Sequence, residues 1–201
     1  MNKKEQSILF FDQKAEAYDH DCIGDHARRL YPFMLNEVIH IFGDEVLDLG
    51  CGTGAFMKDV LSEDSHRHVV GVDISENMIS QAKRKLKDKA VFLLADAQDI
   101  PLADHSIDLI YCIDSFHHYP HPELVLKELH RILKPGGTFL LGEGYLPFLG
   151  RMMMNGYYHF AHSGDVRMYS FREYQQLMQP YFSSITYKRL KDHACIVKGV
   201  K

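Results

Sequence analysis

The chain has 201 residues, of which 46% are hydrophobic and 25% charged, with a formal net charge of −4. That length holds one domain with a sizeable core, and the balance is ordinary for a soluble globular protein. It does not suggest a nucleic-acid partner, a disulfide framework or a zinc ribbon: basic residues cluster only over Lys83–Lys89, and Cys22, Cys51, Cys112 and Cys195 form no C-x-x-C pair.

Reduced, scattered thiols point to a cytoplasmic setting. Met1–Phe11 is too polar for a signal peptide, no apolar run is long enough to span a bilayer, and no internal repeat is present. Residues 1–43 read as a helical cap. It contains Phe11-Asp12, Ala15 and Tyr18-Asp19, and Leu30, Phe33, Met34, Val38, Ile41 and Phe42 predict a helix over Ala27–Phe42 ending near Gly43.

Val46–Gly54, VLDLGCGTG, then reads as a strand, a glycine turn and a helix start. Glycines leave no Cβ between the main chain and a ligand, and they accept positive φ. Dinucleotide loops have the spacing G-x-G-x-x-G, but here the third glycine comes one residue sooner and Asp48 precedes the first. That suits a cationic amino acid better than a pyrophosphate. Val69–Ile74 is a second strand, closed by Asp73, which sits where a carboxylate meets a ribose diol in nucleotide folds. Ser75 reads as an N-cap, and Met78, Ile79, Ala82 and Leu86 share one helix face.

Val91–Ala95 gives a third strand followed by Asp96-Ala97, and Ser106–Cys112 a fourth, followed by Ile113-Asp114-Ser115-Phe116-His117-His118. Asp96, Asp99 and Asp104 can also be read as solvated loop acids. Two adjacent histidines cannot share one face of a strand or helix, which argues against a metal site made from both. A helix carrying Val125, Leu129, Ile132 and Leu133 is predicted to stop at Pro135-Gly136-Gly137, with a fifth strand from Thr138 to Leu141. The stretch 144–169, rich in Tyr, Phe, Met and Gly, leaves the carboxyl end of that strand and should cover the site, either as a pocket for an apolar or aromatic acceptor or as a lid or dimer contact. Ser170–Glu173 has the form of a capping box. Phe182–Arg189 and His193–Lys198 read as strands joined by a Lys-Asp turn, one of them antiparallel to the rest.

At Asp48, Gly50, Gly52 and Gly54 the chain resembles the class I S-adenosylmethionine-dependent methyltransferases, whose first motif is D-x-G-x-G-x-G. Three further stretches resemble the small-molecule, ubiquinone- and menaquinone-methyltransferase type: F-D-x-x-A-x-x-Y-D at Phe11–Asp19, the double histidine after the fourth strand, and Leu133-Lys134-Pro135-Gly136-Gly137. The resemblance runs from about Phe11 to the end. It implies a doubly wound α/β fold, a mostly parallel seven-stranded sheet of order 3-2-1-4-5-7-6 with an antiparallel C-terminal hairpin strand.

It also implies S-adenosylmethionine as cofactor, S-adenosylhomocysteine as product, and no metal. The implied cofactor-binding residues are Tyr18, Asp48, Gly50, Cys51, Gly52, Asp73, Ile74, Met78, Asp96, Ala97 and Ile113. Tyr18 equally fits a surface helix docking on the core, and Ile74 and Met78 equally fit core positions. His117, His118 and Tyr145 are the catalytic candidates, with Glu143, His159 and His162 behind them. The expected activity is in-line methyl transfer to a small-molecule acceptor, with no nucleic acid and no membrane span. A non-catalytic cofactor-binding module and a dinucleotide-dependent oxidoreductase are the alternatives.

Overall fold

A parallel strand covered by helices on both sides must be apolar on both faces, and the central strands meet that demand. Leu47, Leu49, Leu109, Ile110, Leu140 and Leu141 are all fully buried. The computed structural model describes residues 1–191 and 193–201. In it β1 (Glu45–Leu49), β2 (His68–Asp73), β3 (Val91–Leu94), β4 (Ile107–Ile113), β5 (Leu133–Gly144), β6 (Ser184–Arg189) and β7 (Ala194–Val200) form one sheet in the order β3-β2-β1-β4-β5-β7-β6. Pairs among the first five strands are parallel, and β7 runs antiparallel to both β5 and β6. The expected order and reversed hairpin strand are therefore present. Asp192 of the expected Lys-Asp turn lies outside the described residues.

On one face, α5 (Pro122–Ile132) and α7 (Phe171–Met178) bury Val125, Leu129, Ile132, Tyr174 and Met178. On the other, α2 (Asp25–Val38), α3 (Ala55–Glu63) and α4 (Glu76–Leu86) bury Leu30, Met34, Phe56, Val60, Ile79 and Ala82. Ser75 Oγ accepts from Met78 N at 3.1 Å, and Ser170 and Glu173 close the capping box at the start of α7. The remaining α-helices among the described residues are α1 (Lys3–Lys14) and α6 (Phe148–Tyr158).

Three boundaries differ from the sequence reading. The helix expected to reach Phe42 ends at Val38: the apolar period runs on to the buried Ile41, but through tight turns, and Phe42 is 98% exposed. Strand β5 begins at Leu133, before Pro135-Gly136-Gly137, because a register shift between Ile107 and Leu109 absorbs those residues at the strand's start. The stretch 144–169 is less irregular than its composition suggests, since it carries α6.

The loop between β3 and β4, which carries Asp96 and Ala97, is tied down from α5. Ile100 N donates to Glu128 Oε1 at 2.8 Å, and the Arg131 guanidinium donates to Glu128, to the Ile100 and Leu102 carbonyls and to Asp104. Removing the buried acceptor orphans the Ile100 amide and takes from Arg131 its bonds to Glu128, while its other three partners remain. Glu128→Ala should therefore cost about 1–3 kcal/mol in urea unfolding. Asp104→Ala, at an exposed pair, should cost under about 1 kcal/mol in the same measurement.

Candidate active site

Strands β1, β2 and β4 end at one edge beside the reversal of strand order between β1 and β4, where doubly wound sheets open a crevice. Beyond β1, Gly50, Gly52 and Gly54 take φ values of 72°, 51° and 71°, which side-chained residues avoid. The Gly50 and Cys51 amides donate to the Val72 carbonyl at 2.8 and 3.0 Å, pinning the loop to β2. Around Gly52 there is open space: a Cβ there would meet no atom within 4 Å, whereas one at Gly50 would strike Ser115. Gly52 N donates to Asp73 Oδ2 at 2.8 Å and Ser75 N to Oδ1 at 2.9 Å. Each oxygen keeps a lone pair for a further donor. Burial raises the Asp73 pKa in spite of these amides.

A crevice opens here, with about 810 Å³ of empty space that includes open solvent, lined by Tyr18, Gly50, Gly52, Asp73, Ile74, Met78, Asp96, Ala97 and Ile113. Nine of the predicted residues thus converge. Asp48 and Cys51 do not line it. Asp48 pairs in register with Tyr111 of β4, so its carboxyl shares a face with that phenol inside the sheet packing. It is 4% exposed, and burial pushes its pKa well up, with the Tyr111 hydroxyl beside it but out of full hydrogen-bond geometry. Cys51 is buried close to Gly71, and burial raises its thiol well above the ordinary value.

The N-terminal motif straps this crevice. Asp12 accepts from Ser75 Oγ at 2.5 Å and from Asn77 N at 3.2 Å, so the end of α1 caps the start of α4. Ala15 is buried, and Tyr18 lines the cavity with burial holding its phenol neutral. Asp19 accepts from Thr53 Oγ1 at 2.5 Å and Lys85 Nζ at 2.6 Å. Earlier in α1, Lys4 Nζ meets Asp96 Oδ2 at 2.5 Å across the cavity, and Lys3 Nζ donates to the Tyr158 and Ala161 carbonyls.

A second cavity, with about 1030 Å³ of empty space that includes open solvent, adjoins the first and shares Phe11, Tyr18, Asp114 and His118 with it. All three catalytic candidates, His117, His118 and Tyr145, line it. Of the groups behind them Glu143 lines it too, whereas His159 and His162 are exposed and line neither cavity. The Arg189 guanidinium lies 4.3 Å over the Tyr145 ring.

The expectation that adjacent histidines must diverge fails. His117 and His118 lie in a 3₁₀ turn, Phe116–His118, whose geometry belongs to neither strand nor α-helix, and their ring centroids are 4.2 Å apart. Glu143 is 2% exposed. Its Oε1 accepts from Phe116 N at 2.7 Å, and its Oε2 meets His117 Nδ1 at 2.7 Å. Burial opposes charge on His117, but Glu143, Asp165 and Asp114 outweigh it and raise its pKa well above the ordinary imidazole value. For His118 burial and the neighbouring His117 push the pKa down to about 3, so it stays neutral.

Three participants carried no role in the sequence reading. His26 Nδ1 meets Asp114 Oδ1 at 2.7 Å, and that bond raises the His26 pKa. Asp114, at φ 52°, could have been found by the logic that found Asp73, since it too follows the end of a strand. Asp165 lies in an irregular segment and gave no local signal.

Residues 47–141 match the family model described as "Methyltransferase domain". This matched stretch is similar to a methyltransferase domain, and the sheet around it has the order that the resemblance read from the sequence implied. Among relatives, the chain is 36% identical over 112 residues to the 27-O-demethylrifamycin SV methyltransferase of Amycolatopsis mediterranei, a match covering 50% of this chain and 39% of that protein. It is 33% identical over 152 residues to the demethylmenaquinone methyltransferase of Clavibacter sepedonicus, covering 72% of this chain and 60% of that one. The chain thus spans less than two thirds of the length of these relatives. A SAM-dependent methyltransferase from Thermotoga maritima shares the fold with a TM-score of 0.76, at 22% identity, covering 96% of this chain and 99% of that one.

The clamp on Asp19 generates a direct test. Burial would raise its pKa, but bonds from Lys85 and Thr53 prevail and lower it. The carboxylate is therefore charged, and its pairing complete, at neutral pH. Asp19→Asn should release the segment between α1 and α2. Hydrogen exchange at 15–24 should quicken at least about tenfold, the equivalent of roughly 1.4 kcal/mol of local stability, while exchange in β1 and β4 stays unchanged.

Proposed function

We propose that the protein transfers a methyl group from S-adenosylmethionine to a small-molecule acceptor held in the second cavity. The observation that carries this reading is the pairing of open space over Gly52 with the Asp73 carboxylate, at one end of a cavity that runs on into another lined by imidazoles. The residues fit the cofactor: the first cavity has a bare backbone cradle, a carboxylate with free lone pairs, and the apolar Ile74 and Met78. A sulfonium methyl is already electrophilic, so the cofactor itself brings the activated group.

In this reading Asp73 accepts from the ribose hydroxyls, and Asp96 with the Ala97 amide meets the adenine edge. Ile74 and Met78 flank the ring, Gly50 and Gly52 let the chain approach, and Tyr18 and Ile113 border the methionine end. Lys4 holds Asp96 through α1, so cofactor entry must share or displace that ion pair. His117, with a carboxylate at each nitrogen, orients and does not remove a proton. Alignment and exclusion of water therefore carry most of the acceleration.

The acceptor wall mixes Met154, Tyr158, Tyr145 and Met168 with the histidines. It suits a partly apolar, ring-bearing molecule with a polar handle. The names of the rifamycin and menaquinone relatives are of that kind. No helix among the described residues is long and apolar enough to cross a membrane, and four free thiols, three of them buried, fit a reducing cytoplasm. The short glycine spacing disfavours a dinucleotide oxidoreductase.

Calorimetric titration with S-adenosylhomocysteine tests the reading. Asp73→Ala should weaken binding by about 1.5–3 kcal/mol, as for bonds to a charged group. Unchanged affinity would remove the ribose assignment. Gly52→Val should abolish binding, because its side chain would fill the cradle; normal binding by that variant would refute the loop's role.

A further inference from the structure

The turn after β4 does what no regular element could, bringing two consecutive imidazoles to one point. His117 Nε2 lies 3.4 Å and His118 Nδ1 4.0 Å from the same atom, Asp165 Oδ1. Both separations exceed ordinary hydrogen-bond lengths. His118 Nδ1 is buried and has no hydrogen-bond partner, on a side chain only 10% exposed. An unpaired buried nitrogen aimed at a carboxylate asks for a shared partner.

We propose that His117 Nε2, His118 Nδ1 and Asp165 Oδ1 form a three-ligand site for a divalent transition-metal ion of the Zn²⁺ class, open to the second cavity. Tetrahedral bonds of about 2.1 Å put ligand atoms roughly 3.4 Å apart. The His117–Asp165 separation has that value already, and the ligand atoms of the three residues lie within 4.8 Å of one another. Closing the cluster needs only a small inward shift of His118.

The surroundings supply what such ligands need. Glu143 meets His117 Nδ1 at 2.7 Å, the carboxylate behind a ligating imidazole that fixes its orientation. Glu143 is itself fixed by the Phe116 amide at 2.7 Å. Ser163 Oγ donates to Asp165 Oδ2, leaving Oδ1 free to ligate. Val166 and Arg167 amides donate to the His117 carbonyl at 2.9 and 3.2 Å, so the segment carrying Asp165 is docked on the histidine turn. Two nitrogens and one oxygen favour Zn²⁺, Co²⁺ or Ni²⁺ over Mg²⁺, which takes oxygen donors. Three protein ligands leave a position for another molecule, as in zinc sites that act on a substrate. That last consequence rests on the acceptor reading of the second cavity; the binding of an ion does not.

The test uses chelator-treated full chain, titrated calorimetrically with Zn²⁺ and separately with Mg²⁺, and with Co²⁺ followed by visible absorption. One Zn²⁺ per chain is expected, with strong four- or five-coordinate Co²⁺ bands and no Mg²⁺ response. His118→Ala and Asp165→Asn should each weaken Zn²⁺ binding at least tenfold, and Glu143→Gln by roughly 10–100-fold. Each variant is also titrated with S-adenosylhomocysteine. Asp165 lines only the second cavity, so retained binding by Asp165→Asn reports an intact fold. Zn²⁺ held by other histidines would survive both ligand substitutions, and that result overturns the proposal, as does the absence of stoichiometric Zn²⁺ binding. Zn²⁺ binding without S-adenosylhomocysteine binding supports the ion site and sinks the cofactor reading instead.

Discussion

The site depends on buried carboxylates at the carboxyl edge of the sheet, each of which must find donors inside the protein. A charge taken out of water is tolerated only where hydrogen bonds replace its hydration. Asp73 finds the amides of Gly52 and Ser75, Asp114 finds His26, and Glu143 finds the Phe116 amide and His117. Each demand pulls a different segment to the edge: the glycine loop, the start of α2, and the turn after β4. The loops are arranged by what the acids require, and the cavities are the space left between them.

The two cavities differ in the sign of what surrounds them. The first keeps Asp73 and Asp96, whose spare lone pairs attract donors, and its cation is Lys4 of α1. In the second, every carboxylate faces an imidazole: Asp114 meets His26, while Glu143 and Asp165 meet His117. Burial and pairing act in opposite directions on two neighbouring rings there, raising His117 and lowering His118. Adjacent residues of one type thus differ in which of the two effects prevails.

Contacts that are local or dictated by a repeated pattern were legible in the sequence. The strands were legible as apolar runs with turn punctuation, their order came with the resemblance to the methyltransferase family, and Asp73 and the glycines followed from spacing along one βα unit. The motif Phe11–Asp19 was legible as a motif, but its work was not: Asp12 and Asp19 bond to residues 63 and 34 positions away. His26 and Asp114 are 88 apart, and nothing near either one announces the other. That Asp48 does not line the cavity was hidden for a related reason. Its place in the motif is visible, but which way its side chain turns depends on register with Tyr111, and register is a property of two strands. The divergence expected of His117 and His118 assumed a regular element where the chain makes a 3₁₀ turn.

For the proposed transfer the decisive place is the junction between the cavities. In-line displacement asks that donor, methyl and acceptor lie on one line, and an error of an ångström costs orders of magnitude in rate. Phe11, Tyr18, Asp114 and His118 are the residues common to both cavities, so they bound the aperture through which that line must run. Three of them are aromatic rings packed edge to face: Phe11 stands 5.1 Å from His118 and 6.1 Å from Tyr18. Phe11 is placed by α1, which is held by Asp12 to α4 and by Lys3 to the Tyr158 and Ala161 carbonyls. The width of the aperture is therefore set by a helix that touches the cofactor side with one end and the acceptor cover with the other.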